Sequence, residues 1–107
     1  MTEEAKGFLE KMFGGTPLIK SMDFFMAYPD FDYTKSFVSK EIGVSRMTME
    51  KICSELIKRK FIVKTKNLKN AVYYKFNKDN PSALSLTRAI NGLIWEEIEN
   101  EKIAVKH

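Results

Sequence analysis

Two helix-like stretches meet at Gly43-Val44-Ser45 with no room between them for a loop. Glycine tolerates the left-handed backbone that ends a helix, and serine caps the start of the next one. The spacing predicts a helix over 35–42, capped by Thr34, with Val38 and Ile42 four apart on its inner face. It predicts a second helix from Arg46 to about Arg59, with Met49, Ile52, Cys53 and Leu56 as its apolar stripe. Arg46, Met47, Glu50, Lys51, Ser54 and Lys58 fall on the opposite face. A plain helical hairpin and a helix-turn-helix that presents its second helix to DNA both satisfy this stretch. The residues beyond Arg59 decide between them.

After Lys60 the apolar period changes from about 3.6 to about 2, the change from helix to strand. Residues 61–66 and 71–76 are rich in β-branched and aromatic side chains, and Val72, Tyr74 and Phe76 alternate inward. Asn67-Leu-Lys-Asn70 reads as a short hairpin loop, because asparagine is the non-glycine residue best suited to positive φ. A helical hairpin needs no β-ribbon after it, whereas a helix-turn-helix with a wing does.

Upstream, residues 3–13 read as a short amphipathic helix carrying Ala5, Phe8, Leu9 and Met12, ended by Gly14-Gly15. Thr16-Pro17 is a cap followed by proline at the first helical position. Leu18, Met22, Phe25 and Met26 then mark an apolar face to about Tyr28, where Pro29 stops the helix. Residues 29–33 are expected to form a loop with Phe31 and Tyr33 tucked onto the core. Asn80-Pro81 repeats the cap-then-proline signature and opens a long helix to about Lys102, with Leu86, Ile90, Leu93, Ile94 and Ile98 along one side. The expected class is mainly α with a small β-hairpin wing, one domain over 1–107 with its core at 16–80.

Composition narrows the function. No apolar run approaches the ~20 residues that span a bilayer, and the acidic N-terminal stretch has no apolar signal segment. A cytoplasmic protein with no membrane partner is expected. The single Cys53 forbids an internal disulfide or a cysteine-based zinc cluster, and the single histidine is His107. No carboxylate pair, nucleophile–base pair or glycine-rich phosphate loop is visible, so neither catalysis, a metal nor a cofactor is expected. Cys53 reads as buried packing and the Met and Phe stripes as core.

The net charge of +4 hides an uneven distribution. From Lys35 to Lys78 there are 12 Lys/Arg and 3 acids, a local +9, whereas the remainder carries 6 Lys/Arg and 11 acids, or −5. A basic middle between acidic ends suggests a polyanionic partner. The plain alternative is a solvated lysine-rich surface.

With helix, glycine turn, helix and basic hairpin in this order, the sequence resembles the winged helix-turn-helix transcription regulators of bacteria and archaea, broadly of the MarR and ArsR type. The likeness rests on Phe37-Val-Ser-Lys-Glu-Ile-Gly-Val-Ser45, on Met49, Ile52 and Leu56, on Phe61-Ile62 and on Tyr74-Lys-Phe-Asn77. It covers roughly residues 16–98. Ser39 stands where the family usually has alanine, Lys60 where it usually has glycine after the recognition helix, and Asn70 in place of a common wing glycine.

The resemblance implies a winged helix-turn-helix DNA-binding domain whose helix 46–59 enters the major groove N-terminus first. Ser45 and the free N–H groups beside it suit a phosphate, and Arg46 can fork onto guanine O6 and N7. Met47 and Thr48 can meet a thymine methyl, and Lys51 a phosphate or a base. Glu50 can accept from cytosine N4 or pair with Arg46. Lys64, Lys66, Asn67 and Lys69 of the wing would reach backbone or minor groove, and Lys35 and Lys40 would clamp flanking phosphates. The plainer alternatives are solvated charge for Arg46 and Lys51, and protection of a hairpin edge for the wing lysines.

Helices 3–13, 17–28 and 81–102 are more apolar than one small core requires, and Trp95, Ile98 and Ile103 extend beyond it. A homodimer through the terminal helices, 3–13 and 81–102, is therefore expected. The function read from the sequence is a sequence-specific double-stranded-DNA-binding transcriptional regulator. The alternatives are a winged-helix protein-interaction module and a nonspecific nucleic-acid-binding protein.

Overall fold

The computed structural model describes residues 7–105, with side chains through residue 100. Its elements are α1 (Phe8–Phe13), α2 (Pro17–Ala27), β1 (Tyr33–Thr34), α3 (Lys35–Ile42), α4 (Arg46–Lys58), β2 (Ile62–Leu68), β3 (Ala71–Phe76) and α5 (Pro81–Val105). Residues 3–6 of the expected first helix, the Ile103 side chain and His107 lie outside the described residues.

The helix starts follow their caps. The hydroxyls of Thr16, Thr34 and Ser45 accept the N–H groups of Ile19, Phe37 and Thr48 at 3.3, 3.1 and 3.1 Å. Each such cap stabilises by about 1 kcal/mol. Gly43 ends α3 at φ 73°, and the Val44 N–H returns to the Ser39 carbonyl at 3.0 Å. The turn between α3 and α4 therefore closes as the Gly-Val-Ser spacing predicts.

The core gathers where these elements converge. Met49, Ile52, Cys53 and Leu56 of α4 are all buried, with Val38 of α3, Phe25 of α2, Tyr74 and Phe76 of β3, and Ala83 of α5. Burial pushes the Cys53 thiol up to about 11, so the group is inert packing at neutral pH. Met22 and Met26 line the inner face of α2 as expected, but Leu18 is exposed. Ser21 is fully buried on the same helix, with its hydroxyl donating to the Pro17 carbonyl at 2.8 Å. A small residue that bonds its own helix can occupy a core position that an apolar pattern does not mark.

Several further expectations need correction. The 29–33 loop ends in a strand: β1 pairs antiparallel with β3, Tyr33 opposite Tyr74 and Thr34 opposite Tyr73, giving the sheet order β1-β3-β2. Two residues carry no readable period, so nothing local marks this strand. Tyr33 packs on the core and stacks on Phe37, but Phe31 is 62% exposed rather than tucked in.

The hairpin loop is also tighter than expected. β2 runs on to Leu68, opposite Ala71, and only Lys69 and Asn70 turn the chain, at φ 49° and 65°. Positive φ at both central residues gives the turn whose twist matches the flanking strands. Asn67 consequently lies in β2 opposite Val72, not in the loop. A bulge between Lys64 and Lys66 leaves Thr65 without a partner on β3. Its hydroxyl donates to the Asp32 carboxylate at 2.8 Å, with the Tyr73 carbonyl of β3 farther off at 3.4 Å.

At the end of α4, Lys60 adopts the left-handed conformation, φ 60°, that a glycine would enter without cost. The Phe61 N–H bonds the Leu56 carbonyl at 2.8 Å and the Lys60 N–H the Ile57 carbonyl at 2.9 Å, a Schellman closure. The Nδ2 groups of Asn77 and Asn80 both donate to the Lys60 carbonyl at 2.9 Å. Three elements are thereby tied at one carbonyl: the end of α4, the base of the wing and the start of α5.

Finally, α5 is longer than expected and reaches Val105. Ala83 and Ile90 are buried and Leu86 packs on the core, but Leu93 and Trp95 are exposed at 45% and 63%. The protein is correspondingly elongated, 56 × 31 × 21 Å.

Candidate nucleic-acid interface

The candidate interface centres on the first turn of α4. Arg46 opens the helix and is exposed, and Met47 beside it is 74% exposed, the highest value among the large apolar side chains described. Lys51 is exposed further along the helix. Thr48 is half-buried. Its hydroxyl accepts from Ser45 Oγ at 2.9 Å while Ser45 Oγ accepts the Thr48 N–H. Both hydroxyls are thus engaged in the cap, and Ser45 and Thr48 shape the end of the helix before they offer any polar contact.

A cleft of about 300 Å³ separates this end of α4 from the wing. Arg46 and Glu50 line it from α4, Thr34, Lys35 and Ser36 from the start of α3, and Asn70, Ala71, Val72 and Tyr74 from the hairpin. The start of α4 and the wing turn therefore border one surface.

Within the cleft, Glu50 does not take Arg46 as its hydrogen-bonding partner, one of the two roles expected for it. Lys35 Nζ donates to Glu50 Oε2 at 2.8 Å and lies 5.4 Å from the centre of the Tyr74 ring. The hydrogen bond from Lys35 is the largest influence holding the Glu50 carboxyl below its usual range, and Arg46 adds a weaker electrostatic pull. Glu50 in turn raises Lys35. Lys35 is therefore not the unencumbered phosphate clamp that its position suggests.

The wing shows the same division. Lys66 lies 3.6 Å from the Asp32 carboxylate and 4.9 Å from the centre of the Tyr73 ring. Asp32 is held below its usual range first by the Thr65 hydroxyl and then, against some desolvation, by Lys66. Lys78 pairs with Asp30. By contrast, Lys40, Lys51, Lys64 and Lys69 are exposed and take no ion-pair partner among the described residues. Asn67 is exposed on β2.

Sequence reading missed the residues that sort these lysines: Asp32, Tyr73 and Tyr74. The tyrosines were legible as strand residues, but which lysine each would lie beneath depends on cross-strand register. That register includes the Thr65 bulge, which no period announces.

Neither the protein-family models nor the curated proteins contain a match to this sequence. Solved structures do resemble the fold. MepR, a transcription regulator of the Staphylococcus aureus multidrug efflux pump MepA, superposes with a TM-score of 0.59 at 15% identity, over 78% of this chain and 59% of MepR. The chain thus spans less than two thirds of MepR. ZitR of Lactococcus lactis gives a TM-score of 0.59 at 12% identity, over 94% of this chain and 72% of ZitR. The adhesin competence repressor AdcR of Streptococcus pyogenes gives 0.58 at 14% identity, over 92% and 72%. The chain has the winged-helix fold of these proteins: helices around a small three-stranded antiparallel sheet whose hairpin is the wing. No helix among the described residues is long and apolar enough to cross a membrane.

Proposed function

We propose that this protein is a sequence-specific double-stranded-DNA-binding transcriptional regulator, working as one domain over residues 1–107. The observation that carries the reading is the shared cleft, which sets Arg46 at the exposed start of α4 beside Asn70 in the wing turn. A helix end and a hairpin bordering one basic surface fit the two parts of a duplex that such a domain addresses, major-groove base edges and adjacent backbone. A MepR variant is known bound to an oligodeoxyribonucleotide, which supports the same use of the fold here.

Arg46 reads guanine, with Met47 against a thymine methyl. Ser45 and Thr48 present the capped helix end. Lys40, Lys51, Lys64 and Lys69 meet phosphates, and Asn67 adds a polar contact from β2. Lys66 contributes only after competition with Asp32. With four phosphate-contacting lysines in each protomer, about eight phosphates neutralised per pair give a log–log salt slope of roughly −7.

The exposed Leu93 and Trp95 on the outer part of α5 support a homodimer through the terminal helices. Half-sites one DNA turn apart, about 34 Å, result from such a twofold. Sedimentation at high micromolar concentration tests the dimer: a monomer there contradicts it.

The function is tested by fluorescence anisotropy with random duplex pools at two salt concentrations, followed by sequencing of the bound fraction. A recovered palindrome with salt-sensitive affinity is the expected result. Salt-sensitive binding without enrichment identifies a nonspecific nucleic-acid-binding protein instead. No binding at either salt contradicts the DNA-reading function and makes the protein-interaction module the reading to test next.

A further inference from the structure

A carboxylate on the reading face of a DNA-binding helix is an electrostatic liability, since it faces a polyanion. Here Glu50 follows Arg46 by one helical turn and borders the same cleft, yet it is matched by Lys35, the first residue of α3. The pair is not locked in the interior: the Glu50 side chain is 54% exposed and that of Lys35 25%. An ion pair this accessible is weak and opens readily when a better partner arrives.

We propose that Lys35 and Glu50 form an exchangeable pair that makes Glu50 a base-reading residue: a backbone phosphate entering the cleft takes Lys35, and the released Glu50 accepts a hydrogen bond from the N4 amine of a cytosine. The inference rests on the DNA-reading function proposed above. A phosphate near the start of α3 meets Lys35 beside the Thr34-capped helix end, a favourable position for an anion. Once Lys35 is engaged there, Glu50 needs a hydrogen-bond donor. The major groove offers only two amine donors, cytosine N4 and adenine N6. Adenine N6 lies between two acceptors, its own N7 and the O4 of the paired thymine, which repel a carboxylate, whereas cytosine N4 has an acceptor, the paired guanine O6, on one side only. Cytosine is therefore the base that Glu50 selects. A glutamate carboxyl is ionised at neutral pH without such a pairing, so Glu50 remains an acceptor after Lys35 leaves.

The test uses the full chain and the random-pool selection, with wild type, E50Q, K35M and K35R compared, each variant checked for folding by thermal melt. Wild type is expected to enrich a motif with a cytosine at one position per half-site. E50Q should lower the preference for that cytosine by about tenfold and leave the rest of the motif in place. K35M should reduce the magnitude of the salt slope by about one per protomer, and K35R should keep it. An E50Q motif identical to that of wild type overturns the inference, even if affinity rises uniformly, because Glu50 is then only a repelling charge. A slope unchanged in K35M overturns the exchange. Should K35M fail to fold, the E50Q base preference decides alone. A wild-type pool with no enriched sequence defeats the DNA-reading function itself, a result distinct from failure of the exchange.

Discussion

The helices of the helix-turn-helix both end in a left-handed residue, and they reach that state by different means. At Gly43, φ 73°, nothing lies within 4 Å of where a Cβ would sit, and the conformation comes from the residue type. At Lys60, φ 60°, the residue resists the conformation, and two asparagine amides at 2.9 Å hold its carbonyl in place. The first turn is fixed locally. The second is imposed by contacts from 17 and 20 residues away. A helix end can thus be specified by what a residue permits or by what its surroundings compel, and only the first can be read from a short stretch of sequence.

Substitutions can separate the two. The largest effect is expected for Gly43→Val, since a β-branched residue at positive φ is strained whatever space surrounds it. A loss of roughly 2–3 kcal/mol in urea unfolding is expected; a loss below about 0.5 kcal/mol means that the turn is not held at this φ. Next comes the double variant N77A/N80A, which removes both donors to the Lys60 carbonyl. It should cost about 2 kcal/mol and more than the two single losses added together, because either remaining amide still serves the carbonyl. Asn80→Ala should be the costlier single variant, since Asn80 Oδ1 also accepts the Ser82 N–H at 3.0 Å as the cap of α5. Strictly additive single effects contradict a shared role.

Removing the cap that starts α4 is smaller still. Ser45→Ala should lower stability by about 1 kcal/mol, and Ser45→Asp by much less, as measured by thermal melts. Equal losses in both variants mean that the hydroxyl pairing with Thr48, rather than the cap, matters. The smallest effect has the opposite sign. Lys60→Gly relieves the strained backbone at the cost of a more flexible unfolded chain, so a gain of about 0.5–1 kcal/mol is expected. A clear loss shows that the Lys60 side chain contributes something its backbone does not explain.

The same contrast accounts for what was legible in the sequence. The capped starts at Thr16, Thr34 and Ser45, the glycine exit at Gly43 and the buried stripe of α4 each depend on neighbours within a few residues. All of them are where the spacing places them. β1, the Thr65 bulge and the Lys60 exit depend on partners far along the chain. The candidate interface divides in the same way. The exposed face of α4 is a matter of period, so Arg46, Met47 and Lys51 stand where expected. Which lysines are engaged is a matter of tertiary partners, so Lys35 and Lys66 read as available clamps in the sequence although Glu50 and Asp32 hold them in the fold.

The central claim is that the start of α4 reads bases while the wing lysines hold backbone. The direct measurement is the salt dependence of binding for Arg46→Ala and Lys69→Ala, each on a selected duplex and on a scrambled one. Arg46→Ala should lose about 1–3 kcal/mol on the selected duplex and much less on the scrambled one. Lys69→Ala should weaken both alike and reduce the magnitude of the salt slope by about one per protomer. Equal losses for Arg46→Ala on the two duplexes would contradict base reading by α4 and leave a protein that grips DNA by its charge alone.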